Sequence, residues 1–159
     1  MAWQRQLLEG LIAQGKGLGV PTLEMERMLV DPGTQQQWVD GEKRLIEAYR
    51  MTAHHQTPAP RRQANEAQEI RIECEAARAR GESFARKDLT GADLSGLNLK
   101  GADFEDAFLE SVNLAGSNLE GANLKGAVLA HASLENALLG GACLAGANLG
   151  GAKLCAANA

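Results

Sequence analysis

Aromatic residues are scarce in this chain of 159 residues, at 4% of the total. A core must therefore be built from Leu, Ile, Val, Met and Ala, and the length suffices for one domain or for a small domain with an appendage. Proline is also rare, with four residues against 18 glycines. Most glycines lie late in the chain, which predicts a turn-rich second half.

Cysteine occurs only as Cys74, Cys143 and Cys155, without a C-x-x-C pair or a histidine at ligand spacing. This pattern predicts reduced thiols and no metal site. The N-terminus lacks the basic start and apolar run of a signal peptide, and no apolar stretch reaches the roughly 18 residues of a membrane span. We therefore expect a soluble, cytoplasmic protein with no cofactor and no membrane partner.

Positively charged residues are scarce in the second half of the chain. Residues 1–80 hold 11 Lys+Arg and 11 Asp+Glu, whereas residues 81–159 hold 5 and 9, so the net charge of −4 lies in the second half. Nucleic-acid binding needs a clustered basic face. The sequence therefore predicts no nucleic-acid partner.

A period of five residues dominates the second half. Every fifth residue from Leu89 to Leu154 is Leu or Phe, over 14 consecutive repeats. The residue two places earlier is Ala at ten of thirteen positions, and the residue two places later is Gly at nine of fourteen. The unit reads Ala, Asp or Asn, Leu, variable, Gly.

Neither regular backbone accommodates this period. On a helix, successive leucines would drift by about 140° and coat every side. On a flat strand, an odd period would send them to alternate faces. A chain that bends once per repeat, with glycine at the corner, keeps the small and the large apolar residue inside. Stacked coils of such units form a solenoid.

The segments "GADLSGLNLKGADF" and "GSNLEGANLKGAVL" resemble the A-(D/N)-L-x-x unit of the pentapeptide-repeat proteins. The resemblance implies a right-handed, quadrilateral β-helix with about 20 residues per coil, here over residues 83–159. The spacing alone does not distinguish three sides from four.

The residues before the repeats predict helices. Residues 1–53 form a helical N-terminal region, in which Trp3, Leu7 and Leu11 share helical spacing up to Ala13, and Thr34 with Gln37 suggests a capping box. Residues 54–62 contain Pro58 and Pro60 and are expected to form a solvated linker. Residues 63–82 predict a helix that caps the open end of the solenoid.

No catalytic constellation is evident. His54 and His55 lie in the predicted linker, His131 lies at a predicted exposed corner, and "GKGLG" at 15–19 lacks the end of a phosphate-binding loop. We therefore expect a protein that is not an enzyme.

We therefore expect the function to depend on the outer surface of the solenoid. Residues 20 apart should be stacked, which predicts the ion pairs Lys100 with Glu120 and Glu105 with Lys125. Outward apolar positions are candidates for binding a protein partner. They are Phe108, Val128 and Leu138, of which Phe108 and Val128 should be stacked.

Two functions are open at this point. The segment "RKDLTGADLSGLNLKGADFEDAFLESVNL" is similar to the pentapeptide tails of adaptor-like proteins of bacterial type VI secretion, which implies an interaction scaffold that serves a secretion-system component or an effector. The alternative is a DNA mimic that binds DNA gyrase or topoisomerase IV, as the quinolone-resistance pentapeptide proteins do. Mimicry needs an acidic rod, and this region carries only −4.

The end of the repeats suggests self-association. Ala159 stands where the next leucine is due. The final coil should expose strand edges and the underside of Leu144, Leu149 and Leu154, which a two-fold homodimer would cover.

Overall fold

The computed structural model describes residues 2–19, 21–60 and 62–158, with side chains from residue 8 onward. Four α-helices precede the repeats. They are α1 (Ala2–Gly17), α2 (Leu23–Val30), α3 (Pro32–Thr52) and α4 (Ala64–Ala79), with one 3-10 turn at Ala53–His55. Met1 and the side chains of Trp3 and Leu7, on which part of the first helix prediction rests, lie outside the described residues.

The predicted cap of the long N-terminal helix is wrong. Asp31, not Thr34, caps α3, because its Oδ2 accepts hydrogen bonds from the Thr34 amide at 2.7 Å and the Thr34 hydroxyl at 2.8 Å. Pro32 is the first helical residue, where its missing N–H costs nothing. Helix α1 also runs past Gly15 to Gly17, and α2 was not predicted.

The chain forms two compact units, Met1–Tyr49 and Arg50–Ala159. The boundary lies inside α3, four residues before the end of the helical region proposed from the sequence. In the first unit, Ile12 and Thr22 are buried, whereas Leu18, Leu23 and Leu45 are each more than half exposed. The core of the chain lies in the second unit.

Parallel backbone bridges define the coil of the repeats. Each links one residue to the residue 20 positions later, from Asp88 with Phe108 to Leu138 with Asn158. One coil therefore holds 20 residues, or four repeats. This confirms the four-sided architecture that the resemblance implied.

Every repeat turns a corner at the two residues after its large apolar residue. The amide of Ala92, for example, donates to the carbonyl of Leu89, and Gly91 between them has a φ of 68°. An i to i+3 bond with a positive φ at the third residue is typical of a type II turn, which favours glycine. Six corners use another residue there, namely Arg86, Asp106, Ser111, His131, Asn136 and Ala156.

Where a unit has Asp or Asn before its large apolar residue, that side chain stabilises the corner that follows. Its side-chain oxygen accepts a hydrogen bond from the amide two residues later, as Asp93 does from Ser95 at 3.1 Å and Asn118 does from Glu120 at 3.0 Å. This is the local bond that Asp and Asn make in turns.

The interior of the solenoid is a column of large apolar side chains alternating with small ones. Leu94, Leu119 and Leu134 are each 0% exposed. In the first two coils, the rings of Phe84 and Phe104 stack with centroids 5.0 Å apart. The predicted phase of the repeat is therefore confirmed.

Helix α4 lies against the first coil. Its apolar residues Ile70, Cys74 and Ala77 pack on the core, and burial raises the pKa of the Cys74 thiol. Arg71 donates to the carbonyl of Ser95 at 2.9 Å, and Arg78 donates to that of Lys100. These carbonyls lie on the rim of the first coil, so the helix satisfies strand-edge acceptors as well as covering the core.

Candidate interaction surfaces

Four columns of outward side chains, each at the middle of one side of the coil, form the surface of the solenoid. We call them face A (Asp88, Phe108, Val128, Asn148), face B (Asp93, Asn113, Ser133, Lys153), face C (Asn98, Asn118, Leu138, Asn158) and face D (Asp103, Asn123, Cys143). Any partner of the solenoid wall must bind one of these faces or a corner between two of them.

Ion pairs and amide ladders join successive coils. Lys100 lies 2.8 Å from Glu120, and Lys125 lies 3.0 Å from Glu105, as predicted. Hydrogen bonds from these ammonium groups hold the pKa of the Glu120 and Glu105 carboxyls below their usual range. All four side chains are well exposed, so solvent screening keeps the contribution of each pair to stability small. Much of the acidic charge is thus neutralised locally.

The segment from the last turn of α3 onward is not a solvated linker but a strap that lies against face A and the corner between faces A and B. We call residues 50–60 the strap. His54 lies against Gly150 in the last described coil, the carbonyl of Gln56 lies 3.1 Å from His131 Nε2, and Arg62 donates to the carbonyls of Thr90 and Gly91 in the first coil. As the chain runs from His54 to Arg62, it therefore passes from the last coil to the first, opposite to the direction in which the repeats advance.

Face A is covered by this strap. The guanidinium of Arg50 lies 5.8 Å from the centroid of the Phe108 ring and pairs with Asp106 at 3.2 Å. The Arg50 carbonyl accepts a 2.7 Å hydrogen bond from the Asn148 side chain. Phe108 and Asn148 flank Val128 in the same column, so Val128 lies beneath the strap.

Two sequence predictions are corrected here. Val128 points outward and is stacked on Phe108, as predicted, but it is 0% exposed, and Phe108 is only partly exposed. The reason is that the strap packs on them, with Ala53 itself 0% exposed. The two side chains therefore do not form an open surface.

Face C remains open. Leu138 is 40% exposed and stands between Asn118 and Asn158 in its column. From residue 126 to residue 159 the chain carries only Glu135 and Lys153 as charges. The scarcity of charge around the exposed Leu138 matches the centres of protein interfaces, where charged residues are depleted.

The last described coil is less covered than the middle coils. Leu144 and Leu149 are partly buried and Leu154 is 42% exposed, whereas Leu124 and Leu129 are fully buried. These three residues were predicted to form a dimer end. They share the same rim of the coil.

Groups that could bind a metal are not clustered. Among residues 2–19, 21–60 and 62–158, no group of three or more His, Cys, Asp or Glu side chains could hold a metal ion. Cys143 and Cys155 are exposed free thiols. In the part of the chain that the structure describes, no helix is both long and apolar enough to cross a membrane.

The repeats match known proteins. The family profile "Pentapeptide repeats" matches eight copies within residues 73–110, 109–144 and 132–159. No curated protein matches the chain.

Solved structures show the same likeness. The pentapeptide repeat protein Rfr23 of the cyanobacterium Cyanothece 51142 is 40% identical over 46% of this chain and 50% of its own length, with a TM-score of 0.45. A pentapeptide repeat protein of Nostoc Pcc 7120 is 35% identical over 64% of this chain and 78% of its own length, with a TM-score of 0.49. One from the Arabidopsis thaliana thylakoid lumen is 31% identical over 45% of this chain and 54% of its own length, with a TM-score of 0.38.

This chain thus spans about half the length of two of these three proteins. The family profile covers more than half of the chain, from residue 73 to residue 159, and its repeats coincide with the coils described above. The chain belongs to the pentapeptide-repeat family.

Proposed function

We propose that this protein is a non-catalytic scaffold that binds a protein partner through face C, with Leu138 at the centre of the contact. Proteins of the pentapeptide-repeat family generally act as structural or interaction proteins rather than as enzymes. The observation that carries the proposal is the exposure of Leu138 in a column of asparagines, while the equivalent apolar residues of face A are covered.

We further propose that the partner belongs to a bacterial type VI secretion system, either a component of the spike or an effector. The support is the similarity of residues 86–114 to the pentapeptide tails of adaptor-like proteins from these loci. The right-handed winding of the coils and a cytoplasmic location are part of this proposal. Two exposed free thiols, Cys143 and Cys155, fit a reducing compartment.

Co-purification tests this proposal. The chain is expressed with the spike protein and effectors of a type VI locus, first as the parent and then as Leu138→Asp. The control is Cys143→Asp, which adds the same charge at an exposed position of face D. We expect Leu138→Asp to lose the partner and Cys143→Asp to keep it. Binding that survives Leu138→Asp would exclude face C.

We place the gyrase-binding alternative second. A DNA mimic needs unpaired negative charge along its length. Here Lys100, Lys125 and Arg50 each pair with a carboxylate on the solenoid. A supercoiling assay separates the two functions, because a mimic inhibits or protects gyrase at micromolar concentration and a secretion scaffold does not.

We also propose that a second copy can cover the rim formed by Leu144, Leu149 and Leu154. These side chains are more exposed than the equivalent leucines of the middle coils. An isologous contact between two such rims would bury all of them at once.

A further inference from the structure

The strap creates a groove where it crosses face B. The groove contains a cavity of about 300 Å³ with Pro58 of the strap on one side and face B on the other. Its polar lining consists of Ser111, Asn113, His131, Ser133 and Lys153. All of these residues belong to the second compact unit. Pro58 and Ala59 of the strap supply one wall of the cavity.

The charge of the cavity is opposite to that of the surrounding solenoid. Residues 81–159 carry a net charge of −4, yet no Asp or Glu lines this cavity, whereas Lys153 does. Among the described residues, Lys153 has no ion-pair partner. A cation without a counter-charge in a concave site is positioned to attract an anion.

Hydroxyl donors complete the lining. The Ser111 Oγ is buried and makes no hydrogen bond to any described residue, although buried polar groups are nearly always paired. Ser133 lies next to Lys153 in the column of face B, and both residues line the cavity. Ser111, Ser133 and Lys153 are therefore the residues at this cavity that carry hydroxyl or ammonium donors.

Neighbouring contacts hold the walls in place. His131 Nε2 donates to the Gln56 carbonyl at 3.1 Å, which ties one wall to the strap. Gly151 leaves room for the His131 ring, because a Cβ on Gly151 would come 2.6 Å from its Nδ1. The Asn113 side chain is oriented by its bonds to Asp93 and to the Ala115 amide. The site is thus preformed.

We propose that this groove binds a small oxyanion, a carboxylate or phosphate group, held by Lys153 and the hydroxyls of Ser111 and Ser133. Charge-assisted hydrogen bonds from an ammonium and from hydroxyls are the usual means of holding such groups. A second cavity of about 210 Å³ shares Ser111 and Asn113 with the first and continues toward Arg62 and Asp93. The body of a larger anionic ligand would lie there.

Titration with inorganic phosphate and, separately, with acetate tests the site, at constant ionic strength against chloride. Amide chemical shifts are followed by NMR in the full chain. We expect saturable shifts confined to the surroundings of Ser111, Ser133 and Lys153, with at least one of the two anions. The anion that saturates identifies the group as a phosphate or a carboxylate.

Three variants complete the test. Lys153→Gln should weaken binding at least about tenfold, and Ser111→Ala should weaken it without changing the far-UV circular dichroism. Lys43→Gln removes the same charge from α3 and should titrate like the parent, as should Leu138→Asp on face C. The site is refuted if neither anion saturates below about 20 mM, or if Lys153→Gln binds like the parent. It is also refuted if the amide chemical shifts change near lysines all over the surface instead of around the cavity.

Discussion

Gly150 lies directly beneath His54, and the two are so close that a Cβ on Gly150 would clash with the His54 side chain. Gly150 does not have a positive φ, unlike the glycines that form the second corner residue. Glycine is therefore needed at this position for space rather than for backbone conformation. This contact is one of the points where the strap is held on the solenoid.

The substitution Gly150→Ala should accordingly displace the strap and leave the coils intact. Tryptic cleavage after Arg62 should become faster, because the strap leaves the corner. Gly140→Ala is the matched control, since Gly140 has the corresponding place at another corner and its Cβ would meet only an ordinary contact with Glu120 at 3.9 Å. Equal cleavage rates in the two variants would show that His54 does not hold the strap.

Leu119 tests the interior of the solenoid. It is 0% exposed, so Leu119→Ala should lower the free energy of unfolding by about 2–5 kcal/mol through lost burial and a cavity. Leu154→Ala, at a side chain that is 42% exposed, should cost much less. Urea denaturation measures both values. A loss below about 0.5 kcal/mol at Leu119 would contradict the packed column.

Acid should destabilise the solenoid. Hydrogen bonds from the Ser83 hydroxyl and the Glu105 amide hold the pKa of Asp103 below its usual range, and Lys100 and Lys125 do the same for Glu120 and Glu105. A folded-state pKa that is lowered gives stability above the unfolded value and loses it as the pH falls. The melting temperature should therefore be constant from pH 7 to 5 and should fall below about pH 4.

Asp103→Asn provides the control for the acid effect. It keeps an oxygen acceptor at the same place but cannot titrate. The melting temperature of this variant should fall less between pH 5 and pH 3 than that of the parent. An identical fall would assign the acid sensitivity to other carboxyls.

Light scattering coupled to size exclusion tests the proposed dimer. We expect a dimer mass at high micromolar concentration and a monomer mass for Leu154→Asp, because the charge would lie in the rim contact. Leu138→Asp, on face C, should remain dimeric. A monomer mass for the parent would refute self-association through this rim.

The repeat predicted the solenoid well because every coil obeys the same local rules. The large apolar residue is buried, the Asp or Asn bonds to the corner, and residues 20 apart are stacked, so the pairs Lys100 with Glu120 and Lys125 with Glu105 followed from the register. The number of sides came from the family resemblance, because a five-residue period alone fits three sides or four.

The strap could not be predicted in the same way, because it docks non-repeating residues onto one corner. Its traces in the sequence are the outward apolar residues Phe108 and Val128, and the small residues Ala130 and Gly150 at a corner position that is usually variable. Ala130 is 0% exposed and Gly150 contacts His54. The cap of α3 does have a local signal, because "DPG" at 31–33 places an aspartate directly before a proline at the first helical position.

Urea unfolding of the variants Val128→Asp and Leu138→Asp tests whether the strap covers face A and leaves face C open. Both substitutions introduce one carboxylate at the middle of an outward column. Val128→Asp should lower the urea midpoint strongly, because it buries an unpaired charge beneath the strap. Leu138→Asp should leave the midpoint nearly unchanged. Equal, small changes in both variants would mean that face A is open and would contradict the account.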